Sequence, residues 1–446
     1  MYLLPPPFRL HGFSDGSKAP LSGKLPRHTF STSTGLAGWS GAGIQPRMAV
    51  CLWEVLRVTI GAAAKAFVRG QILPHPRAGY APSLSAAPVV VAGMFQTANG
   101  LGRAAHGCVA ALEQEGFAPL AVDTSALLNQ VNTASGVPLS ELDPGASGTL
   151  ILFANPPEIE QCLLQLGLRR WHNWRIIGAW AWETPVAPAE WKRQTAFVSE
   201  IWAPSRFVAD AFRQAYDKPV RTVPHFVEAA SVPDTTRVRT DGPVHILTFA
   251  DAHSSLARKN PVAAALMFRK AFPEGAGARL TLKCRNLEHF PGCAAALNAA
   301  CGDDPRIRLV NDTLTHEEQA ALLASCDILL SPHRSEGFGL PLAEAMAAGK
   351  CVMATGWSGN LEFMSEDCAA MLAYTLVPLV DPSGIYSSVP GAVWADPDIE
   401  AGAGALRRLA AAPEERARLG RNARAAITGR LKSSIYREAL QTAGPR

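Results

Sequence analysis

A chain of 446 residues, 48% hydrophobic and 18% charged, has an ordinary globular composition and is too long for one core, so two domains are expected. The formal net charge of +4 is uneven: residues 1–87 carry nine Lys and Arg against Asp15 and Glu54, and the remainder holds 33 basic and 36 acidic residues. No basic face for nucleic acid is indicated on that body, no apolar run reaches the roughly 18–20 residues of a membrane span, and nine scattered cysteines without a CxxC pair argue against a disulfide framework or zinc site and for a reducing compartment.

Residues 1–47 are rich in Pro, Gly and Ser without periodicity and read as disordered, or as an upstream extension if translation starts at Met48. Residues 48–70 read as one helix, either packed on the first domain or lying as a basic amphipathic segment on a membrane surface. "PHPRAGYAPSLSAAP" is a linker, so 1–87 is an extension. From Pro88 strands and helices alternate: "PVVVAGMF", "APLAVDT", "GTLILFAN", "RIIGAWAW", "EIWAPS" and "RTVPHFV" are strand candidates, separated by helical patterns such as "SRFVADAFRQAY". This rhythm signals a parallel sheet with crossover helices.

The polar stretch "EAASVPDTTRVRTDGP" interrupts the rhythm, which restarts with "VHILTFAD", "RLTLKCRN", "RIRLVND", "CDILLSP" and "KCVMATG". The fold class is therefore α/β: two Rossmann-like, doubly wound domains, 88–235 and 236–430, facing a cleft, with 431–446 a terminal tail or helix. In such sheets ligands bind beyond the carboxyl ends of the strands, so the strand-to-helix turns carry the chemistry.

The turn after "CDILLSP" is "HRSEGFGLPLAEAM". Pro341 suits the first turn of the next helix, Gly337 and Gly339 let backbone approach a ligand closely, and a helix amino terminus favours negative charge. Glu336 lies on the turn and Glu344 one turn into the helix. Carboxylates on either side of an anion-friendly turn suit a ligand with hydroxyls at both ends and phosphate between, the outline of a nucleotide-sugar. The competing reading is a capping acid and a solvated helical glutamate.

"HRSEGFGLPLAEAMAAGKCVMATGWSGNLEFM" resembles the donor-site signature of glycosyltransferase family 4, retaining enzymes of the GT-B fold with an E-x7-E motif. "FADAHSSLARKNP" resembles that family's second donor-site turn, and "WAWETP", "EIWAPSRFVADAF", "VPHFV" and "WADPD" are similar to a bacterial branch of it. The similarity covers about 88 to 430. The resemblance implies that Glu344 binds the ribose hydroxyls, that Glu336 holds hydroxyls of the transferred sugar, and that backbone around Gly337, Phe338, Gly339 and Leu340 meets the diphosphate or sugar. Lys259 matches the phosphate-binding lysine. The family's arginine sits several residues before that lysine, where this chain has His253; Arg258 is adjacent instead, with Ser254 and Ser255 nearby. A diphosphate leaving group gains charge as the glycosidic bond breaks, and with no metal or other cofactor expected Lys259 and Arg258 must stabilise it.

Three further features bear on the cleft. "TANGLGRAA" places Gly100 and Gly102 at a turn after the first strand, which in the resembled family lies near donor phosphates or acceptor. "GAWAWETP" ends a strand with Trp182 and Glu183: an aromatic face for a sugar ring and an acid or base for the acceptor hydroxyl, or two packed core tryptophans. "DPD" (396–398) imitates a metal-binding DxD, but Pro397 at a helix start makes Asp396 an N-cap instead. His333 shapes the donor pocket or the core, and His225 precedes the interdomain linker.

The expected activity is a metal-independent retaining transfer of a hexose, mannose or glucose, from a GDP- or UDP-sugar to a glycan or lipid-linked acceptor in bacterial polysaccharide synthesis. The expected location is the cytoplasm or, peripherally, the inner face of the cell membrane. One rival is an NAD-linked oxidoreductase, suggested by the GLG turn. The other is a catalytically degenerate glycosyltransferase serving as a carbohydrate-binding or scaffolding subunit.

Overall fold

Short apolar runs divided by glycine turns and helices give the chain two parallel sheets, each covered on both faces. The computed structural model describes residues 70–442 apart from scattered positions between 72 and 86, residue 129, and residues 142–146, 168–172, 229–241 and 276. Nearly all of the expected amino-terminal extension with its helix, and about half of the expected linker, lie outside the described residues.

The first sheet comprises β1 Val89–Gly93, β2 Leu120–Asp123, β3 Gly148–Leu152, β4 Trp174–Ala179, β5 Glu200–Ala203 and β6 Val220–Thr222, in the order β2-β1-β3-β4-β5-β6. All its pairings are parallel. Helices α1 Gly100–Gln114, α2 Pro156–Gly167 and α3 Arg206–Ala215 supply crossovers. Strand β1 is buried at every position. Val89 and Val91 join a core with Ala104 and Cys108 of α1, and Val90 and Ala92 join one with Ile159 and Cys162 of α2. A strand between two helical layers must be apolar on both faces, which is why "VVVAG" does not alternate.

The second sheet comprises β7 Val244–Phe249, β8 Ala278–Cys284, β9 Ile307–Asn311, β10 Ile328–Ser331, β11 Cys351–Thr355 and β12 Ala370–Leu372, in the order β12-β11-β10-β7-β8-β9. Counted from its own first strand this is the Rossmann order 3-2-1-4-5-6 read backwards, and the order reverses between β7 and β10. The turns leaving those two strands therefore flank the ligand crevice. The one-turn helix α4 Leu256–Lys259 and then α5 Pro261–Ala271 follow β7; α6 Pro291–Cys301 and α7 His316–Ser325 follow β8 and β9; α8 Leu340–Ala347 follows β10. Both sheets belong to one compact unit.

A hairpin of β13 Tyr374–Pro378 and β14 Val393–Pro397 follows β12. It corrects the reading of "WADPD". Pro397 ends β14 rather than opening a helix, because a two-stranded ribbon tolerates proline at its end. Asp396 pairs with Arg334 (Nε–Oδ1 2.8 Å), and Asp398 is the residue that caps α9 Ile399–Ala411, accepting from the Ala401 amide at 3.0 Å.

After α10 Pro413–Arg430, α11 Ser434–Gln441 packs back on the first sheet. Tyr436 is buried against Trp202, ring centroids 6.0 Å apart. Arg175 donates to the Leu440 carbonyl (2.7 Å) and to Glu200 (Nε–Oε1 2.8 Å), whose other oxygen accepts from Arg221 (2.6 Å). Buried charge is tolerated only when paired. The eight cysteines among the described residues are all free thiols, and no described helix is long and apolar enough to cross a membrane.

Glu200→Ala strands both guanidinium groups and is expected to cost about 3–5 kcal/mol, seen as a lowered thermal midpoint. An unchanged midpoint would show that Glu200 does not hold the α11 junction.

Candidate active site

Two backbone irregularities shape the turn after β7. Ser255 has φ +63° and caps α4, its Oγ accepting from the Arg258 amide at 3.2 Å. Asn260 has φ +55° and caps α5, ahead of Pro261. The "SSLARKNP" stretch is thus one helical turn between two left-handed caps. Four non-glycine residues have positive φ among the described residues: Ser255, Asn260, Asn286 and Ser358. All follow strands of the second sheet, where strain collects when a site needs it.

This turn meets the turn after β10. Lys259 Nζ donates to Glu336 Oε1 at 2.6 Å, and Arg258 donates to Glu336 Oε2 at 3.1 Å and to the Ser335 carbonyl at 2.9 Å. Arg258 also holds the Ser254 carbonyl (3.1 Å), and the Arg334 amide donates to the Arg258 carbonyl (2.7 Å). Glu336 is only 6% exposed. Burial alone would raise its pKa, but Lys259, Arg258 and His333 outweigh that and hold it down at about 2. The Arg258 guanidinium, penalised by burial, is nonetheless stabilised in its charged form by Glu336 and Glu183. Two cations share the Glu336 carboxylate, and Glu183 is a second acid within reach of Arg258.

The Glu336 amide donates to Ser358 Oγ (2.8 Å) on the turn after β11, and the Gly359 amide donates to the Glu336 carbonyl (2.8 Å). The use of Gly337 differs from the expectation of free approach to a ligand. A Cβ there would lie 2.5 Å from the Trp182 carbonyl of the first domain, so its missing side chain admits a neighbouring backbone. Ser205, which caps α3, donates to the Gly337 carbonyl at 2.6 Å. Gly339 does need its glycine: it caps α8 at φ +95°. Phe338 is buried between Phe363 and His225 (centroids 5.0 and 4.9 Å), and Leu340 packs in the same core.

Glu344 on α8 forms an ion pair with Arg103 of α1, across the two domains. Burial raises its pKa and Arg103 opposes that. Arg103 sits one residue after Gly102, whose amide is capped by Asn99 Oδ1 at 2.7 Å and whose absent Cβ would strike the Met94 carbonyl at 2.4 Å. Gly100 faces open space, with nothing within 4 Å of where a Cβ would sit. The glycine turn thus delivers an arginine to the acid.

Glu183 Oε2 accepts from the Tyr386 hydroxyl at 3.0 Å, and its carbonyl accepts from Ser335 Oγ. Trp182 is 4% exposed, packs on Trp191 and Tyr386, and spends its indole N–H on Thr184 and the Val186 carbonyl, both at 2.8 Å. Its face is covered by protein. His333 is fully buried with no hydrogen-bond partner at either ring nitrogen among the described residues; burial dominates and lowers its pKa to about 4, so it is neutral at neutral pH. His225, likewise held down to about 3 by burial, lies against Phe338. His253 stacks on His289 (centroids 5.1 Å), while Arg258 provides the second cation on Glu336.

Sequence reasoning brought Glu336, Lys259 and Arg258 to one place. It missed Arg103, although "GLGR" puts a cation directly after the glycine turn, and Ser358, although "WSGN" lies within the quoted signature. Tyr386 has no local signal, since it depends on a long hairpin loop.

Gly337→Ala is expected to destabilise by about 1–3 kcal/mol, because the obstructing atom is backbone, whereas Gly100→Ala should be neutral or stabilising by about 0.5–1 kcal/mol. Paired melting curves test this, and the reverse order would contradict the close domain contact.

A family model described as family 4 glycosyltransferases in conflict systems matches residues 205–429, half of the chain. A search of the curated proteins returns no match. Among solved structures, sucrose-phosphate synthase from Thermosynechococcus elongatus has a TM-score of 0.55 at 15% identity, covering 80% of this chain and 98% of that one. HepE from Anabaena, in complex with UDP and glucose, has a TM-score of 0.54 at 12% identity, covering 79% and 98%. TarM from S. aureus, in complex with UDP among other ligands, has a TM-score of 0.50 at 10% identity; this chain covers 55% of its length, with 66% of its own residues aligned. These likenesses are in fold, two Rossmann-like domains of the GT-B type. Taken with the family match over the second sheet and its turns, they identify the chain as a member of glycosyltransferase family 4.

Proposed function

We propose that the chain transfers a hexose from a nucleotide-sugar to a glycan or lipid-linked acceptor with retention of configuration and without a metal. The observation that carries this reading is the convergence of Lys259, Arg258 and Glu336 where the order of the second sheet reverses. Two fixed cations there suit a diphosphate, and fixed charges in a buried turn need no reorganisation as the leaving group ionises. Glu336 would hold hydroxyls of the transferred sugar. Glu344, beyond the amino terminus of α8, would take the ribose hydroxyls in exchange for Arg103. Glu183 would meet the acceptor hydroxyl. Retention follows from a same-face attack in which the departing phosphate takes the acceptor's proton while the donor's glycosidic bond breaks.

Two similar folds were solved with UDP, which favours a uridine donor over a guanosine one. Polysaccharide assembly is the setting proposed from the sequence resemblance; the family description names conflict systems and no acceptor. Among the described residues no group of three or more His, Cys, Asp or Glu side chains is placed to hold a metal.

A thermal-shift panel of UDP, GDP, ADP and their sugars tests the donor site. One nucleotide series at about 100 times its dissociation constant should stabilise the protein by about 2.7 kcal/mol, and Glu344→Ala should abolish most of that shift. An equal response of the variant, or stabilisation by NAD alone, would overturn the assignment. Binding with no donor turnover would support the degenerate subunit.

A further inference from the structure

The loop Leu379–Ala392 between β13 and β14 belongs to the second domain in sequence but packs into the first. Tyr386, Val389 and Ala392 are each 3% exposed and join the core that holds Trp182 and Trp191, with Leu379 and Ile385 around them. Asp381 shapes the loop: its carboxylate accepts from the Ser383 hydroxyl (2.7 and 2.8 Å) and the Ile385 amide (3.0 Å). The same carboxylate accepts from Ser255 Oγ at 2.8 Å, the residue that starts the Arg258–Lys259 turn. The loop is therefore fastened at one point to Ser255, at the head of the turn that carries Arg258 and Lys259, and at another to the first domain.

Tyr386 is the residue presented by that arrangement. Its ring lies edge-on to Trp182, centroids 5.4 Å apart, and its hydroxyl donates to Glu183 Oε2 at 3.0 Å. Glu183 is tied through its carbonyl to Ser335, the neighbour of Glu336, and Arg258 is close enough to Glu183 to feel its charge. A glutamate side chain loses up to about 1.5–2 kcal/mol of rotamer entropy when fixed. A phenol already locked in a core fixes it before substrate arrives.

We propose that Tyr386 is a positioning residue for the acceptor side of the reaction, holding the Glu183 carboxyl so that Oε1 takes the hydrogen bond of the incoming sugar hydroxyl beside the Glu336 end of the donor. The proposal rests on the roles given above to Glu183 and Glu336, and it makes the loop Leu379–Ala392 one wall of the acceptor subsite. Its ligand is a polyhydroxyl whose attacking hydroxyl enters between Glu183 and Glu336.

A double-mutant cycle of Tyr386→Phe and Glu183→Ala separates positioning from packing, since the phenylalanine keeps the ring and the alanine leaves the Tyr386 hydroxyl no side chain to hold. Titration calorimetry with UDP and GDP reads the donor site alone. Transfer from UDP-glucose or GDP-mannose to methyl glucoside or methyl mannoside reads the acceptor side. Tyr386→Phe is expected to keep nucleotide affinity within about twofold and to lower the transfer rate about tenfold, the scale of a lost hydrogen bond to a charged group. In the Glu183→Ala background it should add nothing. Multiplying effects, or equal losses in nucleotide affinity and transfer, would overturn the positioning role while leaving the donor site standing. A wild type that binds neither nucleotide would overturn the donor site, and this proposal with it.

Discussion

A carboxylate held in a buried turn between two cations is the constraint on which the second domain is organised. Glu336 could not stay ionised at 6% exposure without Lys259 and Arg258, and those residues reach it only because Ser255 and Asn260 accept left-handed backbone on either side of a single helical turn. The strand order then brings that turn beside the one after β10. Strain, register and charge therefore all act at one point, the reversal point of a Rossmann sheet. The result is an anion-attracting site whose donors are fixed before any ligand arrives.

The first domain is fitted to this site through backbone as much as side chains. Ser205 bonds the Gly337 carbonyl, the Arg206 amide bonds Glu362 (2.8 Å), and Trp182 backbone fills the space a side chain at Gly337 would need. Arg103 meets Glu344, and the hairpin loop lays Tyr386 on Trp182. These contacts join the acids of the donor turn to a tryptophan-rich core, so the cleft is bounded by tightly packed groups. Where the family has an arginine, His253 stacks on His289, and Arg258 lies beside Glu336.

What was legible in the sequence was what periodicity and spacing encode. The largely apolar runs of β1, β3, β10 and β11 read as buried parallel strands, and the restart of the alternation after residue 243 reads as a second sheet. Glu336 and Lys259 could be assigned because each lies a few residues beyond such a strand. What escaped depended on contacts distant in sequence. The hairpin β13–β14 escapes because Pro397 resembles a helix start and the partner strand, though apolar, is mostly exposed rather than buried like the sheet strands. Tyr386 meets Glu183 across 203 positions, a pairing no local pattern announces. Gly337 was read as room for a ligand, when only the packed structure shows that the Trp182 carbonyl occupies that side.

The central claim is that Lys259 and Arg258 bind a diphosphate and that Glu336 shares those cations with it. Calorimetric titration of UDP or GDP into Lys259→Ala and Glu336→Gln tests it by sign. Lys259→Ala should weaken nucleotide binding about tenfold or more, as expected for a lost charge-assisted hydrogen bond. Glu336→Gln should leave binding unchanged or tighten it, because the competing carboxylate is gone. Unchanged affinity in Lys259→Ala, or an equal loss in both variants, would contradict the account.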